Sequence, residues 1–221
     1  LQADLSSQAE VRRLAAEVRA GWPRLDVLVH SAGTVQQRRR ETVDGIELTW
    51  AVNHLAPYLL TNLLLSRLRA AAPARVITLS SSAHWLARVW FDDLNRRRGW
   101  VSWLAYGQSK LANVLFTREL ARRLAGSGVA ANALHPGEVA TRFAQSGGLA
   151  SVFFRPAPPF LLTPEKAADA VVHLATSPEV AQISGHYFVK GRPAGSSRRS
   201  QDMAAARRLW EASAAMVGLE S

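Results

Sequence analysis

The feature that most restricts the fold of this chain is an alternation of short, nearly continuous apolar segments with longer amphipathic ones. The apolar segments are LDVLVHSAG, ARVITLSSS, VAANALHPG and GHYFVKG. Their length, and the Gly, Ser or Pro residues that end them, are typical of buried strands. Strands that alternate with helices of about ten or more residues predict an α/β fold, in which helices cover both faces of a parallel sheet.

The ends of two predicted helices carry capping signals. In LSSQAEVRRLAAEVRA, Ser7 and Glu10 have the spacing of a capping box, in which each side chain satisfies a free backbone N–H group. Thr163 and Pro164 are suited to the N-cap and the first position of a later helix. Both helices are therefore predicted to begin at these residues.

The rest of the chain continues the alternation without an internal repeat or a domain boundary. Further helices are predicted over about 44–70, 103–125 and 202–217, and the helix after Thr163 is predicted to end near residue 177. The segment 142–162 is rich in Gly, Pro and Phe and is predicted to be an irregular substrate loop. Residues 1–221 are predicted to form a single domain.

Composition excludes several classes of protein. Hydrophobic residues make up 48% of the chain, which is too many for a disordered protein, and the absence of cysteine excludes disulfides and thiolate metal sites. No apolar run approaches the roughly 20 residues of a membrane span, and no signal peptide is recognisable. We expect a cytoplasmic protein, and a homo-oligomer is compatible with the sequence.

The net charge of +10 raises the question of nucleic-acid binding. The arginines occur in short clusters along the whole chain, without interleaved aromatic residues and without a known DNA- or RNA-binding motif. A solvated basic surface is the simpler interpretation, and no specific nucleic-acid partner is predicted.

The candidate catalytic pair is Tyr106 and Lys110. In a parallel α/β sheet the ligand lies beyond the carboxyl ends of the strands, and the pair lies on the helix that follows ARVITLSSS. Residues four apart share one face of a helix. A nearby ammonium lowers the pKa of a phenol from about 10, so that the phenol can exchange a proton nearer neutrality. The chain contains three lysines, against an abundance of arginine, so a compact amine at Lys110 indicates a specific need.

Other interpretations of these residues have weaker support in the sequence. A Y-x-x-x-K spacing by itself is most often a coincidence on a surface helix. Ser81, His84 and Asp92 could form a hydrolase triad, but no G-x-S-x-G turn surrounds the serine. The histidines lack the spacing of metal ligands, so no metal site is predicted.

The order of motifs along the chain adds a resemblance. LDVLVHSAG, VNHLAPYLLTNLLL, ARVITLSSSAH, YGQSKLANVLFTRELARRL and ALHPGEVAT occur in that order. Together they resemble the short-chain dehydrogenase/reductase family, in its retinol-dehydrogenase-like and WW-domain-oxidoreductase-like branch. The resemblance covers essentially the whole chain and implies a Rossmann-type doubly wound sheet.

The resemblance implies four catalytic residues. Tyr106 would be the general acid/base, and Lys110 would tune it and hold the nicotinamide ribose. Ser81 would bind the substrate oxygen, whereas Ser80 and Ser82 would be structural. Asn53 would anchor a relay water through its backbone carbonyl. Pro57 has no N–H group and cannot donate the regular helical hydrogen bond to that carbonyl, which leaves it free to bind water. The alternative is that Pro57 causes a helix kink without a function.

The resemblance also implies a cofactor site for NADP or NAD, leaning to NADP. Asp4 and Leu5 would contact the adenine, and the small residues Ala32 and Gly33 would allow close approach to the adenine-side ribose. The remaining residues implied for the cofactor site are His30, Pro136, Gly137, Val139 and Thr141.

Two departures from the family pattern qualify this expectation. His30 stands where the family has an asparagine that braces the central strands. The Gly-rich turn that holds the cofactor diphosphate has no counterpart in the sequence. We expect the domain to be N-terminally truncated, with the first two strands of the family and that turn absent. LDVLVHS would then be an edge strand.

The predicted function is the interconversion of an alcohol and a carbonyl by hydride transfer with NAD(P). The phenylalanines of the predicted loop favour an apolar substrate; they are Phe143, Phe153, Phe154 and Phe160. The alternative is a truncated pseudoenzyme that acts only by binding a partner.

Overall fold

The computed structural model describes residues 1–137 and 163–220. Its helices are α1 (Gln8–Gly21), α2 (Leu48–Trp50), α3 (Ala56–Ala70), α4 (Ser102–Arg123), α5 (Pro164–Thr176) and α6 (Met203–Val217). Its strands are β1 (Val27–His30), β2 (Ala74–Leu79), β3 (Val129–His135), β4 (Tyr187–Val189) and β5 (Arg192–Ala194). The predicted loop over 142–162 lies outside the described residues.

The five strands form one sheet in the order β1-β2-β3-β4-β5. The first four are parallel, as predicted, and β1 lies at one end of the order. The expectation of a wholly parallel sheet was wrong at β5, which pairs antiparallel with β4. The connecting residues Lys190 and Gly191 both have positive φ, of 50° and 79°, and this geometry suits a two-residue hairpin turn.

Alternate residues of the strands face opposite sides of the sheet, which has helices on both. Val76 packs into a core with residues of α1, α3, α4 and α6. Its neighbour Ile77 packs into a second core with Ala170 and Leu174 of α5. The doubly covered α/β architecture predicted from the sequence is therefore present in the described residues.

The N-cap residues Ser7 and Thr163 have the expected contacts, but the capping box is formed in one direction only, because the Glu10 carboxylate pairs with Arg13 and the Ser7 N–H donates to the Asp4 carbonyl. The Ser7 hydroxyl accepts from the Glu10 N–H at 3.4 Å, and the Thr163 hydroxyl accepts from the Lys166 N–H at the same distance. These contacts satisfy N–H groups that the first turn of a helix leaves free, so the starts of α1 and α5 are confirmed.

The long helix predicted over about 44–70 has an interruption. Residues Ala51–Leu55 form a π-helical turn between α2 and α3, and the Ala56 N–H bonds the carbonyl of Ala51, five residues earlier. Pro57 follows at once and cannot donate to the Asn53 carbonyl. The turn therefore lies at the position where the sequence removes a regular helical bond.

None of the described helices is both long and apolar enough to cross a membrane.

Candidate active site

The candidate catalytic residues gather at one edge of the sheet. The parallel register pairs His30 with Thr78 and Leu79 with Leu134, so the carboxyl ends of β1, β2 and β3 lie along the same edge. Ala32 and Gly33 follow β1 and are exposed there, whereas Pro136 and Gly137 follow β3. A groove at this edge is the position expected for a ligand of an α/β sheet.

Lys110 is buried in α4 beside Tyr106. Its Nζ lies 5.6 Å from the centre of the Tyr106 ring and donates to the Leu79 carbonyl at 3.1 Å. The Asn113 side chain donates to the same carbonyl at 3.0 Å. Burial disfavours the ammonium and lowers the pKa of Lys110 to about 8. The predicted pairing of Tyr106 with Lys110 on one helix face is present in the structure.

Asn53 connects the loop after β1 to α4. Its Oδ1 accepts from the Thr34 N–H at 2.7 Å, and its Nδ2 donates to the Thr34 carbonyl at 2.9 Å and to the Ser109 hydroxyl at 3.0 Å. Ser109 in turn donates to the Tyr106 carbonyl at 2.7 Å. We call this arrangement the Asn53 latch. It fixes the loop that follows β1 against the helix turn that carries Tyr106.

Gly33 lies within contact distance of the Asn53 and Lys110 side chains. A Cβ at Gly33 would lie 3.4 Å from Asn53 Oδ1 and 3.6 Å from Lys110 Nζ. The backbone of Gly33 therefore borders both catalytic candidates.

Ser81 begins the 3-10 turn Ser82–Trp85, which packs against α4. Its hydroxyl accepts from the Ala83 N–H at 3.2 Å. A Cβ at Gly107, the residue after Tyr106, would lie only 3.2 Å from the Ala83 carbonyl. The glycine thus allows the turn that carries Ser81 to lie close to the part of α4 that carries Tyr106. Ser80 has the structural role expected of it, since its hydroxyl donates to the Lys110 carbonyl at 2.8 Å.

His84 is not arranged as a hydrolase base. Its Nδ1 bonds the backbone carbonyl of Ser81 at 2.7 Å, and its Nε2 accepts from the Ser197 N–H at 3.1 Å. Both ring nitrogens are therefore engaged with the backbone, which requires the neutral Nδ1–H form. Asp92 lies at the surface, near Arg208. These three residues do not form a triad.

The other candidate cofactor residues have varied positions. Asp4 is exposed, and its carboxylate accepts from the Ser6 N–H at 2.9 Å, a contact that lowers its pKa. Leu5 packs against the core beside α1. His30 bonds the Thr61 hydroxyl of α3 at 2.7 Å and therefore joins β1 to a helix. Gly137 has a φ of 106°, which favours glycine. Val139 and Thr141 lie outside the described residues.

Several residues of the site were not found by sequence reasoning. Thr34 and Ser109 complete the Asn53 latch, and Asn113 shares the Leu79 carbonyl with Lys110. Ser109 and Asn113 lie one position before and three positions after Lys110, so their nearness along the helix was a usable signal. Thr34 had no such signal, because its contact with Asn53 spans 19 residues.

Comparison with known proteins decides the family. The family model described as short chain dehydrogenase matches residues 1–149. Human retinol dehydrogenase 13 is 44% identical over 99% of this chain and 68% of its own length. The chain belongs to the short-chain dehydrogenase/reductase family. Mouse retinol dehydrogenase 12 is 39% identical, over 98% of this chain and 69% of its own length. The chain thus spans about two thirds of the length of these retinol dehydrogenase relatives.

Solved structures of the family agree with the fold. An uncharacterized protein from Mycobacterium Paratuberculosis matches with a TM-score of 0.78 and 37% identity, over 100% of this chain and 75% of that one. A Pseudomonas aeruginosa RhlG/NADP active-site complex matches with a TM-score of 0.64 and 28% identity, over 85% of this chain and 72% of that one. Family membership implies NAD(P)-dependent dehydrogenase chemistry.

The residues of the candidate site suit the nicotinamide-ribose half of such a cofactor but not its diphosphate. Lys110 uses one of the three N–H groups of an ammonium on Leu79, so further acceptors such as ribose hydroxyls can be bound. Gly33 leaves open the space that a Cβ would occupy beside it. The 221-residue sequence contains no Gly-rich turn for the diphosphate. Within residues 1–137 and 163–220, no group of three acidic or histidine side chains could hold a metal ion.

Proposed function

We propose that this protein is an oxidoreductase that interconverts an alcohol and a carbonyl with NADP(H). The observation that carries the proposal is the buried Lys110 beside Tyr106, held at the carboxyl edge of the sheet in a member of a dehydrogenase family. When bound, the nicotinamide supplies or accepts the hydride. The residues of this chain supply orientation and the proton.

Tyr106 is the proposed proton donor and acceptor for the substrate oxygen. It is 8% exposed, so the ring is fixed within the fold while part of the side chain still meets solvent. Lys110 is proposed to assist the Tyr106 hydroxyl as a general acid and base, since a nearby ammonium favours a phenolate. Ser81, also 8% exposed, is proposed to hydrogen-bond the same substrate oxygen.

Asn53 is proposed to position the neighbouring loop and helix. Its side chain is committed to Thr34 and Ser109, so it holds the loop and the helix between which the nicotinamide ribose would lie. The π-helical turn and Pro57 support the further role of the Asn53 carbonyl as the anchor of a relay water.

The proposed substrate is an apolar, retinoid-type alcohol or aldehyde. The relatives are named retinol dehydrogenases, and apolar side chains are exposed near the catalytic residues. Trp103 lies one helical turn before Tyr106 and is 45% exposed, and Trp85 and Leu86 follow Ser81 with exposures of 51% and 82%. Exposed large apolar groups next to a catalytic edge favour an apolar ligand. The NADP complex of the P. aeruginosa relative favours NADP over NAD.

The decisive experiment is Tyr106→Phe, assayed for NADPH-dependent reduction of all-trans-retinal in a longer chimera that carries the glycine-rich turn segment of the family before Leu1. The change removes one hydroxyl and keeps the ring, so we expect turnover to fall by about 100-fold or more while NADPH affinity changes little. Tyr58→Phe, which removes a hydroxyl from the core instead, is the matched control and should keep most of its turnover. Near-normal turnover of Tyr106→Phe would overturn the assignment.

The competing proposal is a pseudoenzyme that binds a partner. The observation in its favour is that this sequence has no glycine-rich diphosphate turn. Absence of both NADPH binding and turnover in the longer chain, with the fold intact by circular dichroism, would support the pseudoenzyme.

A further inference from the structure

A cavity lies outside the candidate active site, in the connection that precedes α4. It has a volume of about 470 Å³, and its lining comes from the segment 88–98 together with one residue of α6. The charged and aromatic residues that line it are Arg88, Trp90, Phe91, Asp92, Asp93, Arg96, Arg98 and Arg208. We call it the arginine cavity.

The arginine cavity is separate from the catalytic residues. Gln108 of α4 holds the lining segment, since its Oε1 accepts from the Trp90 N–H at 3.2 Å and its Nε2 donates to the Leu94 carbonyl at 2.9 Å. Two residues along an α-helix correspond to roughly 200° of rotation, so Gln108 faces away from both Tyr106 and Lys110. A ligand in the arginine cavity would not occupy the proposed substrate site.

The lining has more positive than negative charge, and its two aspartates do not neutralise it. Four arginines face two aspartates. The Asp93 carboxylate accepts from the backbone N–H groups of Arg97 and Arg98, each at 2.9 Å, and so holds the turn. Asp92 is 95% exposed at its side chain and approaches Arg208 only to 3.5 Å. An exposed ion pair of this kind is weak.

Two of the arginines lie against one aromatic ring. The guanidinium carbons of Arg96 and Arg88 lie 3.9 and 4.9 Å from the centre of the Trp90 ring. Arg96 is 7% exposed, and no carboxylate of the described residues lies within ion-pair distance of it. Burial lowers the pKa of Arg96, Asp93 opposes this effect, and Arg88 adds to it by repulsion. A bound anion would relieve this repulsion between like charges.

The arginines are also oriented in advance. The Arg96 backbone has a φ of 47°, a conformation that a non-glycine residue adopts at some cost, and its guanidinium donates to the Gly99 carbonyl at 2.7 Å. Arg208 lies with its guanidinium carbon 4.3 Å from the centre of the Phe91 ring. Stacking on aromatic rings restricts guanidinium groups and leaves their N–H edges available to an oxyanion.

We propose that the arginine cavity binds the phosphate group of a small phosphomonoester. A phosphomonoester carries a charge of about −1.5 to −2 at pH 7, which matches the excess of arginine over aspartate in the lining. Guanidinium groups pair with phosphate oxygens through two parallel hydrogen bonds. The volume is within the range of small-molecule sites and exceeds what one phosphate needs, so the ligand has room for a further group.

The test uses two double variants with the same loss of charge. Arg88→Gln/Arg208→Gln changes two lining residues, whereas Arg97→Gln/Arg207→Gln changes two exposed arginines that are adjacent in sequence to lining residues but do not line the cavity. Calorimetric titrations with glycerol 3-phosphate, in about 150 mM salt to screen long-range attraction, should show saturable binding by the unmodified protein. We expect the lining variant to bind about tenfold or more weakly and the control variant within about twofold of the unmodified protein.

A second arm distinguishes a free phosphomonoester from a lipid headgroup. The same proteins are mixed with phosphatidylcholine vesicles with and without phosphatidic acid, and sedimentation is measured. Binding of glycerol 3-phosphate identifies a soluble ligand, whereas binding only of vesicles that contain phosphatidic acid identifies a lipid headgroup. In either case, Arg88→Gln/Arg208→Gln must weaken the binding that is observed. Equal weakening by both double variants, or no saturable binding of either probe, would overturn the proposal.

Discussion

Lys110 is one of three lysines in the chain, so its titration can be followed individually. Burial lowers its pKa to about 8, and we predict that one lysine side-chain resonance of a ¹³C-lysine-labelled protein titrates near that pH. Lys110→Arg should remove that resonance and leave those of Lys166 and Lys190. A spectrum in which no lysine titrates below pH 9.5 would contradict the burial of this ammonium.

The lowered pKa of Lys110 also makes the free energy of unfolding depend on pH. The direction is opposite to that of a lysine in a salt bridge, because a salt bridge raises the pKa. The depressed pKa means that the folded state opposes protonation, so between about 8 and 10.5 the unfolded chain binds more protons. Lys110 therefore makes the protein more stable as the pH rises through this window. Its ammonium is retained at neutral pH although it lowers stability, which agrees with a catalytic role.

Two buried histidines should make the fold sensitive to acid. Burial lowers the pKa of His30 to about 4 and that of His54 to about 3, so both are neutral when folded near neutrality. The unfolded chain takes up these protons below pH 6.5, and stability should fall as the pH falls from 6.5 through 4. For His30 alone the loss is roughly 3 kcal/mol at full protonation.

The measurement is the free energy of urea unfolding between pH 4 and 7, for the unmodified protein and for His30→Asn. Asparagine does not titrate, so the variant should lose less stability on acidification. His186→Asn, a change at an exposed histidine, is the control. If the pH profiles of all three proteins coincide, His30 does not contribute to acid sensitivity.

At the scale of elements, the π-helical turn and the Asn53 latch should be coupled. Pro57→Ala supplies an N–H group that can bond the Asn53 carbonyl and favour a regular α-helix. Regular winding would turn the Asn53 side chain, so the Thr34 N–H should lose its acceptor and exchange with solvent faster. Hydrogen exchange measured by NMR at Thr34 checks this prediction, with Pro23→Ala, at an exposed proline, as control. Unchanged protection at Thr34 would show that the turn does not depend on Pro57.

The sequence predicted elements best where local chemistry determines them. The caps at Ser7 and Thr163 determine where α1 and α5 begin, and short apolar runs predicted β1 to β4. Strand β5 was missed because Arg192, Pro193 and Ala194 are all exposed and lack strand propensity; the hairpin turn before them creates the strand.

The site shows the same division between local and long-range information. Tyr106 and Lys110 could be paired from their spacing, because four residues make about one turn of helix. The Asn53 latch could not be inferred, because it joins loop, π-helical turn and α4 across 19 and 56 residues of sequence. Such contacts exist only once the sheet has brought the carboxyl ends of its strands together.

For the whole molecule, the main prediction concerns cofactor affinity. The described fold presents residues suited to the nicotinamide ribose, but this sequence has no glycine-rich turn for the diphosphate. We expect the 221-residue chain to bind NADPH at least about tenfold more weakly than a longer chimera that carries the glycine-rich turn segment of the family before Leu1, since backbone N–H groups at such a turn provide strong anion contacts. Calorimetric titration of both chains checks this expectation.

A matched pair of variants locates the binding groove in that experiment. Gly33→Ala adds a methyl group beside Asn53 Oδ1 and Lys110 Nζ and should weaken NADPH binding, whereas Gly195→Ala meets nothing within 4 Å and should not. Equal affinity of both chains, together with turnover by the shorter one, would mean that other residues bind the diphosphate.

The shared carbonyl of Leu79 has a consequence for the entropy of cofactor association. Lys110 and Asn113 donate to this one oxygen at 3.1 and 3.0 Å, which joins α4 to the end of β2 and holds the lysine side chain in a single arrangement. Immobilising a free lysine side chain costs about 1.5–2 kcal/mol in rotamer entropy. Here folding has already ordered it, so a cofactor would meet a preorganised ammonium, and the binding energy of the proposed ribose contact would not be reduced by that ordering.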